Sequence, residues 1–326
     1  MSSSAPRPLL SLACERVIAA AASLGSASGA FLPTSRRRYR AHYRSQRTKA
    51  LAGARRAAHV CLLFASGSTL LPFPQALAWG AEGHSIIGEL AQRRLTPAAQ
   101  RRVTEILGGN ISLASIASWA DDMRTLVPKT YNWHFVDIPL NASNYDPARD
   151  CQQSPRGDCI ISALERNQKT LLDPTSSVAD RREALKYLVH FIGDLHQPLH
   201  TVKDYAGGNK FAVSYFVDAA KKRTEPTNLH FVWDTGLIRS TVWNWGNYVT
   251  RLEEQWLPGQ NLELLSSGTL VEWALAAHQA AIDVAFTIEP NAQLGEDYLA
   301  IARPTVDRQL ALAGLRLART LNDTFK

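Results

Sequence analysis

Between positions 190 and 200 the chain reads His-Phe-Ile-Gly-Asp-Leu-His-Gln-Pro-Leu-His, which places three of its nine histidines and a carboxylate on one short segment. On a helix His190 and Asp194 stand four apart and share a face. An imidazole nitrogen and a carboxylate oxygen are both good ligands for a zinc ion. Pro198 removes a backbone donor and is predicted to end or kink that helix, so His200 leaves in a new direction and can serve a different ion. His196 fits neither face and reads as a supporting or structural residue. A second pair with the same spacing, His230 and Asp234, lies in Asn-Leu-His-Phe-Val-Trp-Asp. An isolated histidine is most often simply hydrogen-bonded within a fold. Two His-x-x-x-Asp pairs in one chain argue for metal ligation instead. Asp121, in Ser-Trp-Ala-Asp-Asp-Met-Arg, His134, in Trp-His-Phe-Val-Asp, and His84, five residues after Trp79, are further candidate ligands.

The elements that must carry these residues are mostly helical, with apolar residues recurring at three- and four-residue spacing from Glu82 onward. Helices are predicted near 84–95, 97–108, 112–124, 158–173, 179–196, 228–237, 267–286 and 293–321, the last kinked at Pro304. Thr96-Pro97 and Asp180 mark two of the starts. The strand-like run Lys210 to Val217, after Gly207-Gly208, is the exception, so the expected fold is a single all-α domain with a small β-hairpin. No repeat or heptad is evident.

Composition divides the chain. The 326 residues are 45% hydrophobic and 20% charged, enough for a sizeable core. Residues 1–78 contain eleven of the 36 basic residues against one acid, Glu15, so the rest is mildly acidic with 25 basic and 28 acidic residues. The net charge of +7 is therefore no sign of a basic nucleic-acid-binding surface. Arg55-Arg56, the apolar stretch from Val60 to Leu71 and Ala76-Leu77-Ala78 have the order of an export signal cleaved after Ala78. The apolar stretch is too broken for a membrane anchor. Residues 1–54 exceed such a signal and reflect either an upstream start codon or the first half of a bipartite organelle signal, so export is expected, with an organelle lumen as the alternative. Cleavage would make Trp79 the N-terminus, whose free amine and carbonyl can chelate a metal in a five-membered ring, with His84 nearby. After Ala78 only Cys151 and Cys159 remain, and in an oxidising compartment they are expected to pair. Asn110, Asn141 and Asn322 head glycosylation sequons.

Trp-Gly-Ala-Glu-Gly-His from Trp79, SWADDMR, NWHFVDIP, HFIGDLHQPLH, GGN and NLHFVWD together resemble, in the same order across 79–326, the S1/P1 nuclease family of trizinc phosphoesterases. The resemblance implies an all-α fold shared with zinc phospholipase C. It also implies cleavage of single-stranded DNA and RNA to 5′-phosphorylated products, with removal of the 3′-phosphate of nucleotides. It implies three zinc ions: one held by Asp121, His134, His190 and Asp194; one by Trp79, His84 and the bridging Asp194; and a more separate one by His200, His230 and Asp234. His196 is not a ligand in the family. Phe135 matches the residue on which a base stacks, and Asp137 and Asn209 match those that meet the base edge. Lys210 to Lys222 diverges from the family pattern, which bears on base preference and leaves the metal site untouched.

Paired zinc ions suit phosphodiester hydrolysis because they activate a water and orient it in line. Asp121 can both ligate and orient that water, and Arg124, one turn further, can stabilise charge on the pentacovalent transition state. Two other readings remain. A zinc phospholipase C would use the same chemistry on a lipid headgroup ester, and Phe135, Asp137 and Asn209 weigh against it. A non-catalytic zinc-sequestering protein would need neither those residues nor Arg124. A monomer is expected.

Overall fold

The computed structural model describes residues 79–218, 223–242 and 244–326. The expected export leader and its cleavage after Ala78 fall outside the described residues. Among them, no helix is long and apolar enough to cross a membrane.

The longer helices are α1 (Ala81–Gln92), α2 (Pro97–Leu107), α3 (Trp119–Leu126), α4 (Ile160–Leu172), α5 (Val178–Leu195), α6 (Leu270–Ala280) and α7 (Glu296–Thr324). Their starts follow local chemistry. The Thr96 hydroxyl accepts from Ala99 N, with Pro97 in the first turn where its missing donor costs nothing. Ser177, rather than Asp180, caps α5 by accepting from Asp180 N. Thr269 and Glu272 form a reciprocal capping box on α6. Helix α7 runs unbroken through Pro304.

Helix α5 is the central element. Its second half, from Leu188 to Leu195, is buried on every side, and α3, α4 and α7 pack around it. Helix α1 lies between α7 and the short helix Leu113–Ile116, and glycines set those distances. A Cβ on Gly88 would stand 2.8 Å from Ala114 N and 2.9 Å from its Cα, and one on Gly314 would stand 2.6 Å from Leu90 Cβ. Asn322 ties the end of α7 to the α1–α2 turn, accepting from Thr96 N at 2.8 Å and donating to Arg94 O at 2.9 Å. Its sequon is thus occupied structurally at both ends of the amide, whereas Asn110 and Asn141 are exposed.

Several expectations are corrected. The helix predicted over 112–124 breaks into Leu113–Ile116 and α3, because Ala117 O turns away to accept from His190 Nδ1 at 2.7 Å. Pro198 ends α5 as expected: the helix stops at Leu195, since Gln197 takes the extended backbone that a following proline favours. The expected hairpin is a three-stranded sheet: β1 (Ala212–Asp218) pairs antiparallel with β2 (Arg223–Asn228) and parallel with β3 (Gln293–Leu294). An additional helix, Trp245–Arg251, continues as a π turn through Trp256; its start is capped by Asn244 accepting from Asn247 N. Cys151 and Cys159 form the expected disulfide, with Cα atoms 4.9 Å apart. Closing so short a loop stabilises by about 2–3 kcal/mol.

The close approach at Gly88 yields a test. Alanine gains about 1 kcal/mol of helix propensity over glycine, but here its methyl would meet backbone that cannot swing aside. Gly88→Ala is expected to lower the urea-unfolding free energy by about 1–3 kcal/mol. Gly109→Ala, with nothing within 4 Å of its Cβ, should leave it unchanged.

Candidate metal centre

The last turn of α5 places His190 and Asp194 on one face, with Nε2 3.0 Å from Oδ2. Asp194 is 0% exposed. The same Oδ2 lies 3.0 Å from His134 Nδ1, while Oδ1 faces the other way, 3.2 Å from His84 Nε2. Asp121, from the first turn of α3, brings Oδ1 to 3.5 Å from His190 Nε2 and 3.6 Å from His134 Nδ1. Two groups of ligand atoms result, His84 with His190 and Asp194, and Asp121 with His134 and His190. His190 stands at their junction and Asp194 points one oxygen at each side. The His84 ring stacks on His190 at 3.9 Å and rests against the α5 backbone where residue 193 has no side chain; a Cβ there would lie 2.9 Å from His84 Nδ1.

The third group is His200, His230 and Asp234. His230 Nε2 is 3.1 Å from Asp234 Oδ2, and the two imidazoles stack at 5.0 Å. Asp234 projects from the π turn Val232–Gly236, which follows the helical turn Leu229–Phe231. Its other oxygen, Oδ1, accepts from Gln197 Nε2, and Gln197 Oε1 in turn accepts from Leu199 N at 2.6 Å. Gln197 is fully buried and was not singled out in the sequence; an amide three residues before the candidate ligand His200, in HQPLH, was the available signal.

Backbone carbonyls set the ring orientations. His190 Nδ1 donates to Ala117 O, His200 Nδ1 to His134 O at 2.7 Å, and His230 Nδ1 to Gly207 O at 2.5 Å. Each bond leaves Nε2 facing inward, as in metal-ligating histidines. Gly207 reaches His230 from a left-handed run of four residues, Tyr205 (φ 51°), Ala206 (φ 52°), Gly207 (φ 60°) and Gly208 (φ 80°). A side chain at Gly207 would come within 2.6 Å of Leu199 O. Tyr205 and Ala206 carry Cβ atoms in that region at roughly 1 kcal/mol each, a local strain of the kind that gathers at functional sites.

The fit to cations rests on the atoms left over. His84 Nε2, Asp121 Oδ1, Asp194 Oδ1, His200 Nε2 and Asp234 Oδ2 are all buried without a hydrogen-bond partner, and all point into the groups just described. Charge agrees. Burial pushes His190 down, but Asp194 and Asp121 outweigh it and raise the imidazole to about 10. Burial alone would raise Asp194, yet the charge on His190 holds it well below the usual carboxylate range. Burial lowers His134 and His200 to about 4 each, so they are neutral. Two buried carboxylates thus share one imidazolium, and positive charge is what the cluster lacks. Nitrogen and oxygen donors in threes and fours suit zinc.

Beside these groups opens a cleft of about 730 Å³ that reaches His200 and His230. Phe135, Asp137, Asn209 and Arg124 line it, so all four sequence-nominated substrate-facing residues share one wall system. Burial raises the Asp137 carboxyl, with Lys203 partly offsetting the shift. Asn209 turns its amide back to donate to Ala206 O at 3.0 Å. The buried Arg124 Nε has no partner, and its guanidinium lies 4.0 Å from the Tyr131 ring centroid. Trp79 is fully buried in the hydrophobic core, and Gly80 N donates to Asp234 O at 2.9 Å, which brings the start of the described chain to the third group. His196 is structural: Nδ1 donates to Ile192 O at 2.7 Å, and Nε2 accepts from Arg316 at 2.8 Å.

Comparison with known proteins places this geometry. The model of the S1/P1 nuclease family matches residues 79–326. Nuclease P1 of Penicillium citrinum is 34% identical over 277 residues, spanning 75% of this chain and 97% of that protein. Endonuclease 2 of Arabidopsis thaliana is 29% identical over 304 residues, spanning 82% and 97%. Nuclease S1 of Aspergillus oryzae is 28% identical over 290 residues, spanning 80% and 96%.

Because the α5 backbone at Gly193 supports the His84 ring, Gly193→Ala is expected to displace that ring and lower bound metal by about one ion per chain. Elemental analysis of the purified variant checks this. Retention of the full wild-type metal content would show that His84 is not held by this contact.

Proposed function

The chain belongs to the S1/P1 nuclease family, and on that premise we propose that residues 79–326 form a zinc-dependent endonuclease that hydrolyses phosphodiesters of single-stranded DNA and RNA. The products carry 5′-phosphates, and 3′-nucleotides are also dephosphorylated. The observation that carries the reading is the Asp194 carboxylate, fully buried, with each oxygen turned to a different set of histidines. Such a carboxylate could serve two ions, offering one oxygen to each. In this reading Asp121, His134, His190 and Asp194 hold one zinc; Trp79, His84 and Asp194 hold a second; and His200, His230 and Asp234 hold the third.

When bound, the three ions supply Lewis acidity to the phosphate and make water a competent nucleophile near neutral pH. The chain's own residues do the rest. Asp121 keeps a carboxylate oxygen facing the close pair, where it orients the attacking water and can accept its proton. Water oxygen attacks phosphorus, the P–O3′ bond opens on the opposite side, and a proton reaches the leaving O3′. Arg124 has no carboxylate partner among the described residues, so its charge is available to the equatorial phosphate oxygens as they gain negative charge. Phe135 presents a ring for base stacking, and Asp137 and Asn209 flank it to meet the base edge. The enzyme is read as a monomer. An oxidising destination is supported by the Cys151–Cys159 disulfide, and we place the chain outside the cytosol, with residues 1–78 as its leader.

Three outcomes test this reading. Incubation with single-stranded DNA, RNA, 3′-AMP and a lecithin emulsion, with and without chelator, should give chelator-sensitive nucleotide release and no lipid cleavage; the reverse pattern would assign a phospholipase. Asp194→Asn should lower activity and metal content more than Asp234→Asn, since one carboxylate serves two ions and the other serves one. Equal losses in both variants would remove the bridging role. The free amine of Trp79 matters because an amide nitrogen has no available lone pair. A protein beginning at Trp79 should therefore bind one more zinc than the same protein with a single extra Gly before it, and be far more active. Equal zinc content in the two would exclude the amine as a ligand.

A further inference from the structure

Tyr131, at the rim of the cleft, carries a cation on its ring beyond Arg124. The Arg124 guanidinium carbon lies 4.0 Å from the ring centroid and that of Arg156 lies 4.6 Å from the same centroid. Phe135 meets the Tyr131 ring edge-on at 6.4 Å, so the base-stacking ring, the tyrosine and both arginines are continuous. Arg156 is exposed, and no ion pair with a described carboxylate neutralises either guanidinium. Two unpaired cations on one ring repel each other, and cation–π attraction at an exposed site returns only about 0.5–1 kcal/mol apiece. The arrangement calls for an anion.

Arg156 is held in place by its backbone. It lies in the loop closed by the Cys151–Cys159 disulfide, and that loop is seated on the turn carrying Tyr131. Arg156 O accepts from Asn132 N at 2.9 Å. The Asn132 amide donates to Ser154 Oγ at 3.1 Å and to Gly157 O at 3.2 Å. Gly157, at φ 97°, fits so closely that a Cβ would stand 2.4 Å from Lys129 O. These bonds fix the backbone from which the Arg156 side chain reaches the Tyr131 ring.

We propose that Arg156 binds the phosphate next to the scissile one, so that the disulfide-closed loop extends the strand-binding cleft by one nucleotide. The proposal rests on the nuclease reading above. Arg124 takes the phosphate under attack, Tyr131 spaces the two guanidiniums, and Arg156 meets the following phosphate as the strand leaves the cleft. Cations that track a single-stranded backbone beside stacking rings are the usual means of gripping such strands without regard to sequence. Arg156 is a substrate-binding residue and takes no part in bond breaking.

The test compares a substrate that has only the scissile phosphate with one that has more. Metal-loaded wild type, Arg156→Ala and Arg156→Lys are assayed on a dinucleoside monophosphate and on an octadeoxynucleotide. Arg156→Ala should raise KM for the octamer about five- to tenfold at low salt, with kcat unchanged and the dinucleoside unaffected. The plot of log kcat/KM against log salt should become shallower by about 0.7 for the octamer, the increment of one phosphate contact on a single strand. Arg156→Lys should keep the wild-type slope. Anisotropy of a labelled octamer, read across the same salts, should show the same loss of slope without turnover. Equal effects on both substrates, or an octamer unaffected by Arg156→Ala, would overturn the proposal. Failure of the wild type to cleave either substrate would instead overturn the nuclease reading, while the binding slope would still decide the role of Arg156.

Discussion

A carboxylate with no exposure to water is the constraint on which the rest of this structure depends. Taking Asp194 out of solvent costs several kcal/mol unless charge and hydrogen bonding replace the lost hydration. Imidazoles from three separate elements meet it, His84 from α1, His134 from the turn after α3 and His190 from α5 itself. Many local features then have one explanation. The chain breaks at Ala117 because its carbonyl must hold His190; residue 193 must be glycine because His84 lies against it; and α5 must be buried all round because its last turn is the floor of the centre.

The two aspartates at helical spacing from a histidine look alike in the sequence and differ in three dimensions. Asp194 has both oxygens turned to imidazoles, whereas Asp234 yields one oxygen to Gln197. An amide donor thus settles how many directions each carboxylate can serve. Distance and orientation follow from neighbours that lie far away in sequence, so no spacing rule could have distinguished the pair.

Legibility followed the same boundary. The His190/Asp194 and His230/Asp234 pairs were readable because i, i+4 spacing is a local property of a helix, and the start at Thr96 because a cap is local too. The break between Leu113–Ile116 and α3 was not, since its cause is a hydrogen bond to a residue 73 positions away. Nor was the left-handed run at Tyr205 and Ala206, residues that have no preference for that region and are held there by the packing of Gly207 against Leu199 and His230. The third strand, Gln293–Leu294, is too short to leave a pattern, whereas Pro198 was legible as the end of α5 because its effect on the residue before it is local.

The docking of the chain's beginning onto its middle has a consequence in time. Gly80 N bonds to Asp234 O, and Glu82 pairs with Arg239 at 2.7 Å across 157 positions of sequence. A polypeptide emerges from the ribosome with the Trp79 segment well ahead of Asp234, which does not yet exist to receive it. Closing so large a loop comes late in folding, because its entropy must be met before the contact returns anything. The centre therefore cannot be completed until Asp234 has been made and the Trp79 segment has docked onto it, so the first ligands to be synthesised wait for the last.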